Sequence, residues 1–192
     1  MTKKDMDSEI QIAFDILCRD GTIVYPTDTV WGTGCAATSD CAVEKLYRLK
    51  QNGEERASLV LVSSINMIYE FVWKVPEEAI SFIKLANKPL TVIFPRAYGL
   101  SKTIVGKDGS IGIRLVKHEF CKKLIKKLKV PLVSTSANVS GMPAPKCFDD
   151  ISADILKNVD HVVDKQYAGK MTGTPSAIIK VGMSGEIEFI RK

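Results

Sequence analysis

The sequence predicts an α/β (or α+β) layer structure in which helices flank one largely buried, mixed sheet. Three observations predict it. Short β-branched apolar runs, such as Leu59-Val60-Leu61-Val62 and Leu90-Thr91-Val92-Ile93-Phe94, are of the kind buried on both faces of a sheet. Between most of them lie segments with apolar residues at helical spacing, so strands and helices alternate through most of the chain. The last two runs, Ser176 to Val181 and Glu186 to Ile190, flank the turn Met183-Ser184-Gly185, which requires at least one antiparallel pair. Nothing reads as a linker, so residues 1–192 are expected to form a single domain, long enough for one real core.

Taken in order, Asp7 or Ser8 can cap a first helix with Ile10, Ala13, Phe14 and Leu17 on one face, and Asp20-Gly21 ends it. Thr22 to Tyr25 is a β-rich run stopped by Pro26. Residues 27–35 read as a polar, glycine-punctuated loop. Asp40 is expected to cap a helix through Val43, Leu46, Tyr47 and Leu49, and Gln51 to Arg56 is a polar loop. After the strand at Leu59, Ser63 or Ser64 caps a short helix to Phe71. Pro76-Glu77-Glu78 starts another, with acids in its first turn as the helix dipole favours. Leu90 to Phe94 and Ile111 to Leu115 are strands separated by a loop of Gly, Lys and Ser.

Lys117 to Lys129 carries Phe120, Leu124, Ile125 and Leu128 at helical spacing and five lysines, Lys122, Lys123, Lys126, Lys127 and Lys129, on the other face. That is the pattern of a solvated surface helix; a tRNA- or phosphate-facing stripe is the alternative. Pro131-Leu132-Val133 is an apolar run that turns into Ser134, Thr135, Ser136, Asn138 and Ser140, before Gly141, Pro143 and Pro145 forbid regular structure. Asp149 to Leu156 reads as a helix and His161 to Asp164 as a strand.

Composition excludes several function classes. Hydrophobic residues make up 45% and charged residues 26%, and no apolar run approaches the ~18 residues that span a bilayer. The lysines at the N-terminus are followed by no apolar segment, so a signal peptide is not expected, and the expected compartment is the cytoplasm. Five cysteines without CxxC spacing read as inert packing residues. The two histidines lie at no ligand spacing, so a zinc site is not expected and no metal is assigned to protein side chains. The net charge of +5 permits a polyanionic partner without showing one. No GxxxxGK[ST] loop, no GxGxxG after a strand and no Ser-His-acid grouping occurs, which disfavours P-loop, dinucleotide and acyl-enzyme chemistry.

What remains is polar residues at strand ends: Thr27-Asp28-Thr29, Ser110 with Arg114, and Ser136-Ala137-Asn138. If these strands share a sheet, their ends converge. Arg114 is the sharpest signal. An arginine inside an apolar strand is costly to bury unless its guanidinium meets an anion. Two partners fit: an anionic ligand, or a structural acid such as Asp108 or Glu119. A cavity of hydroxyls and cations suits an anionic ligand and the stabilisation of charge by position.

Tyr25-Pro26-Thr27-Asp28-Thr29-Val30-Trp31-Gly32, Lys50 before a polar loop, Lys88-Pro89-Leu90-Thr91, Ile113-Arg114 and Ser134-Thr135-Ser136-Ala137-Asn138-Val139-Ser140-Gly141 together resemble the YrdC/Sua5 family of threonylcarbamoyl-AMP synthases, in its short YrdC-like form. The resemblance runs from about Gly21 to the C-terminus. It implies an open twisted sheet around a large, positively charged cavity. It also implies condensation of L-threonine, bicarbonate and ATP, with Mg²⁺ accompanying the ATP, into threonylcarbamoyl-adenylate and pyrophosphate. A transferase complex then modifies tRNA. On this resemblance Lys50 and Arg114 are the catalytic residues. Thr27, Thr29, Arg114, Ser136, Thr174 and Ser176 line the threonine pocket. Lys50, Asn52, Arg56, Ser110, Asn138, Lys146 and Arg191 contact ATP.

The chain departs from the family pattern at two places. The K-x-R motif reads Lys50-Gln51-Asn52, so an arginine is replaced by an amide, and a lost charge-assisted contact is worth ~1.5–3 kcal/mol. Arg56 lies four residues on in the same loop. Leu61 stands where some relatives have a histidine. A non-catalytic RNA- or nucleotide-binding paralogue is therefore the alternative reading.

Overall fold

The computed structural model describes residues 5–50 and 59–192. The described strands are β1 (Ile23–Tyr25), β2 (Gly32–Gly34), β3 (Leu59–Val62), β4 (Leu90–Phe94), β5 (Ile111–Leu115), β6 (Leu132–Ser136), β7 (His161–Val162), β8 (Ala177–Val181) and β9 (Ile187–Arg191). The described α-helices are α1 (Met6–Leu17), α2 (Asp40–Leu49), α3 (Ile65–Tyr69), α4 (Glu77–Leu85), α5 (Glu119–Leu128) and α6 (Ala153–Asn158). The strands form one nine-stranded sheet in the order β7-β1-β2-β6-β3-β5-β4-β8-β9. The pairs β1–β7, β3–β5 and β4–β8 are parallel and the others antiparallel, as the mixed-sheet prediction requires.

Local chemistry explains most elements. The Ser39 hydroxyl accepts the Ala42 N–H at 3.1 Å and starts α2. The expected cap, Asp40, sits one residue inside and accepts the Ser101 hydroxyl instead. Ser64 caps α3 through the Met67 N–H. In α1, Asp7 and Glu9 occupy the positive end of the helix dipole, and Ile10, Ala13 and Leu17 are buried. The helix begins at Met6, one residue ahead of the first expected cap. In α5, Phe120, Cys121, Leu124 and Ile125 are buried, as the spacing predicted. Part of its lysine face meets α1: Lys123 pairs with Asp7 at 3.3 Å, and the Lys127 ammonium lies over the Phe14 ring.

Three local expectations change. Residues 27–35 are not all loop, because Gly32-Thr33-Gly34 is β2, held between β1 and β6. Glycine opposes strand formation locally; here it is required, since a Cβ at Gly34 would collide with the Val133 carbonyl oxygen of the next strand. The expected helix at 149–156 divides into a short 3-10 turn, Phe148–Asp150, and α6, which Ser152 caps. The strand at 131–133 continues to Ser136, so Ser134 and Thr135 are strand residues.

The cysteines also divide. Cys35 and Cys121 are buried, and burial pushes the Cys35 thiol up to about 12, which keeps it inert. Cys18, Cys41 and Cys147 are exposed, contrary to the packing role expected of all five. No helix among the described residues is long and apolar enough to cross a membrane.

Candidate functional site

Strand register builds the site. Residues directly opposite one another in a sheet point to the same face. Arg114 on β5 lies opposite Thr91 on β4 and Leu61 on β3. Gly112 lies opposite Leu59 and Ile93, Leu59 opposite Ser134, and Ser136 opposite Gly32. One face of five adjacent strands therefore carries an arginine, three hydroxyls, two glycines and several aliphatic side chains. Over this face lies a cavity of about 440 Å³. The glycines give it depth: a Cβ at Gly112 would stand 3.4 Å from Leu59 and Thr91 side-chain atoms.

Arg114 is 3% exposed and lines this cavity. Its acid partner is neither Asp108 nor Glu119. Asp28 supplies it, with Oδ1 at 3.3 Å from Nη2. Asp108 instead accepts two hydrogen bonds from Ser110, which pull its carboxyl down to about 2, and Glu119 lies beside Lys123. Arg114 Nη1 donates to Thr29 Oγ1 at 2.9 Å. The Thr27 hydroxyl donates to the Val30 carbonyl oxygen at 2.7 Å, so its contact of 2.9 Å with Thr29 uses the Thr29 hydrogen. The result is a directed chain from guanidinium to Thr29 to Thr27 to backbone. Next to Arg114 in register, Thr91 and Ser176 share a buried hydroxyl contact of 2.7 Å.

Of the residues expected to form the site, Thr27, Thr29, Ser110, Arg114, Ser136, Ser176 and Arg191 line the cavity. Arg191 holds the Ser176 carbonyl oxygen with two nitrogens, at 3.0 and 2.8 Å, and so fixes the start of β8. Lys50 lies beside the site: its ammonium donates to Thr135 Oγ1 at 2.8 Å and to the Ser136 carbonyl oxygen at 2.7 Å. Burial pushes its pKa down to about 8.

Besides Lys50, three expected residues among those described do not line the cavity. The Asn138 amide donates to the Val139 and Met142 carbonyls and braces its own loop. Lys146 is exposed, with its N–H on Asp150. Thr174 is exposed on a loop whose Thr172 and Gly173 N–H groups bond the Asp28 and Thr29 carbonyls. Asn52 and Arg56 lie outside the described residues. Sequence reasoning placed Asp28, Ser134 and Thr135 in polar clusters at strand ends, but assigned neither them nor Thr91 an individual role in the site. For Thr91 the available signal was a hydroxyl in register with an arginine, which needs the strand pairing to be known.

Among the described residues the cavity wall holds two charged side chains, both arginines, and no His, Cys, Asp or Glu. Such a wall binds and orients an anion and stabilises charge by position; it offers no nucleophile with its base.

Comparison with known proteins gives a consistent result. The family model Sua5_yciO_yrdC, described as "Telomere recombination", matches residues 15–192. A threonylcarbamoyl-AMP synthase of Pseudoalteromonas translucida is 29% identical over 184 residues, covering 94% of this chain and 96% of its own. One from Hydrogenovibrio crunogenus is 32% identical over 138 residues, covering 69% and 73%. Among solved structures, P. abyssi Sua5 complexed with L-threonine superposes with a TM-score of 0.84 at 24% identity, covering 93% of this chain and 52% of that one. E. coli YciO does so with a TM-score of 0.82 at 21% identity, covering 99% and 91%. The chain spans about half the length of the Sua5 structure it matches. At these identities the solved structures speak for the fold, a mixed α/β sheet flanked by helices.

Proposed function

The chain belongs to the Sua5/YciO/YrdC family, and from that premise we propose that it is an L-threonylcarbamoyladenylate synthase. It condenses L-threonine, bicarbonate and ATP to threonylcarbamoyl-AMP and pyrophosphate, for modification of tRNA by a transferase complex in the cytoplasm. The relatives that match along nearly the whole chain carry this activity in their names. The observation that carries the reading is Arg114, buried in an apolar strand with its fork set by Thr29 and Asp28 and turned to a cavity large enough for a small ligand.

Arg114 holds the threonine carboxylate, and Thr29 and Ser136 flank it. Ser110 and Arg191 meet the nucleotide. Threonine's amine attacks the bicarbonate carbon and loss of water gives a carbamate. A carbamate oxygen then attacks the α-phosphorus of ATP, and the bond from that phosphorus to the oxygen bridging to the β-phosphate breaks, so that pyrophosphate leaves. No covalent enzyme intermediate is needed, because the wall aligns the reactants and offsets charge. Mg²⁺ would arrive on the phosphates: the described residues include no group of three or more His, Cys, Asp or Glu fit to hold it. Its contribution when bound is to offset phosphate charge.

The test is pyrophosphate release from MgATP by the full chain. Release that requires both L-threonine and bicarbonate is expected. A folded protein that binds ATP but releases nothing with both co-substrates present would sink the synthase reading and leave the non-catalytic nucleotide-binding paralogue.

Lys50 adds a pH dependence. With its pKa near 8, the ammonium loses its proton as pH rises through that value, and a bound polyphosphate raises the pKa again. MgATP affinity is therefore expected to fall by up to about tenfold between pH 7 and 9, the size of one charge-assisted contact. In Lys50→Arg, which stays charged, titration calorimetry should give a nearly flat profile. Equal slopes for the two proteins would remove Lys50 from the nucleotide site.

A further inference from the structure

A carboxylate stands behind the arginine that the cavity presents. Asp28 is 9% exposed, and it is not part of the cavity wall. Its Oδ2 accepts the Lys117 N–H at 3.2 Å, while Oδ1 lies 3.3 Å from Arg114 Nη2 and makes no hydrogen bond. Arg114 Nε is likewise without a hydrogen-bond partner. A buried ion pair is weak evidence for stability, and unsatisfied buried atoms behind a cavity wall call for a functional explanation. The Thr172 N–H pins the Asp28 backbone carbonyl at 3.1 Å, and the Lys117 N–H holds the carboxylate itself.

The hydroxyls beside it point the same way. The Thr27 hydrogen is spent on the Val30 carbonyl and the Thr29 hydrogen on Thr27, while Thr29 already accepts Arg114 Nη1. Toward a ligand Thr29 offers one remaining lone pair and no hydrogen, and Thr27, which accepts both the hydroxyl and the N–H of Thr29, offers neither. Around Arg114 the wall therefore presents one cation, whose charge Asp28 already offsets, next to the Thr29 acceptor and the paired Thr91 and Ser176 hydroxyls. A plain carboxylate gains less from a guanidinium offset in this way than from an unpaired one, although the hydrogen bonds of the fork remain available. A zwitterionic α-amino acid brings its ammonium within a few ångströms of its carboxylate, into the field of Asp28 and the lone pair of Thr29.

We propose that Asp28 is a specificity-determining residue which, through Arg114, makes the site select zwitterionic α-amino acids over carboxylates that lack the amine. This rests on the amino-acid reading of the cavity given above.

Calorimetric titration of the full chain with L-threonine and with 3-hydroxybutyrate, the same skeleton without the amine, tests it. Wild type should prefer threonine. Asp28→Asn keeps the size and an oxygen for Lys117 but removes the charge. The ratio of the two affinities should then fall at least about tenfold, since a unit charge a few ångströms away in a partly buried site exerts at least that much. Threonine should bind more weakly and hydroxybutyrate more tightly. Asp28→Glu, which keeps the charge, should retain most of the wild-type ratio, and that variant decides the matter if Asp28→Asn does not fold. Equal weakening of both ligands in Asp28→Asn, or loss of the ratio in Asp28→Glu, would overturn the proposal and leave Asp28 a structural prop. Wild type binding neither ligand would be a different failure, that of the amino-acid reading itself.

Discussion

Arg114→Ala is expected to lower kcat/KM for L-threonine by at least about a hundredfold, the worth of a buried charge-assisted pair of hydrogen bonds at ~3 kcal/mol. The same change should destabilise the fold. Asp28 would be left as a buried carboxylate without its cation, and breaking such a pair costs about 3–5 kcal/mol. Arg114→Lys separates the two effects. It restores charge beside Asp28, and with it much of the stability, but one ammonium cannot serve Thr29, Asp28 and a ligand carboxylate as a planar fork does. Urea denaturation should therefore show Arg114→Lys near wild type while kcat/KM stays depressed about tenfold or more. If Arg114→Ala kept wild-type kcat/KM, the arginine would be structural and the threonine site would lie elsewhere.

Gly34→Ala is expected to be the most damaging single methyl addition in the described sheet. The new Cβ would meet the Val133 carbonyl oxygen, a backbone atom of the adjoining strand, and would stand 3.0 Å from the Tyr25 ring. Neither neighbour yields easily. Tyr25 is fully buried with its hydroxyl on that same carbonyl at 3.1 Å, and burial raises its pKa far above the ordinary phenol range. Overpacking against fixed atoms costs about 1–3 kcal/mol or more, and here β1, β2 and β6 would all have to part. A loss of at least about 3 kcal/mol in urea denaturation, or failure to accumulate folded protein, is the expected outcome. Gly112→Ala is the control. Its Cβ meets side-chain carbon atoms at 3.4 Å, which can adjust, so its stability loss should be under about 1.5 kcal/mol. Equal losses at the two positions would show that strand separation does not limit this part of the sheet.

Much of the fold was legible because local chemistry decides it. The β-branched runs at 59–62, 90–94 and 111–115 are strands with the expected bounds, and the apolar spacing in 117–129 gives α5 the expected buried face. Errors fell where local preference and long-range pairing disagree. Gly32-Thr33-Gly34 reads as loop from its own composition, and becomes a strand because its neighbours require a backbone without side chains. Asp40 has the chemistry of a helix cap, yet Ser39 caps α2 and Asp40 is drawn to Ser101.

The candidate site divides in the same way. By itself the sequence determined that an arginine sat in a strand too apolar to hold it without an anion, and that hydroxyls clustered at the strand ends. Periodicity and burial cost are properties of a short stretch of chain, so they can be read from it. Only the tertiary structure decided that the anion already present is Asp28 rather than Asp108 or Glu119, and that Thr91 and Ser134 share the face of Arg114 while Asn138 braces its own loop and Lys146 is exposed outside the cavity wall. Those outcomes depend on register between strands far apart in the chain. Register is set by all the pairings of the sheet at once, because a slip of one residue in any strand would turn its hydroxyls and its arginine to the opposite face.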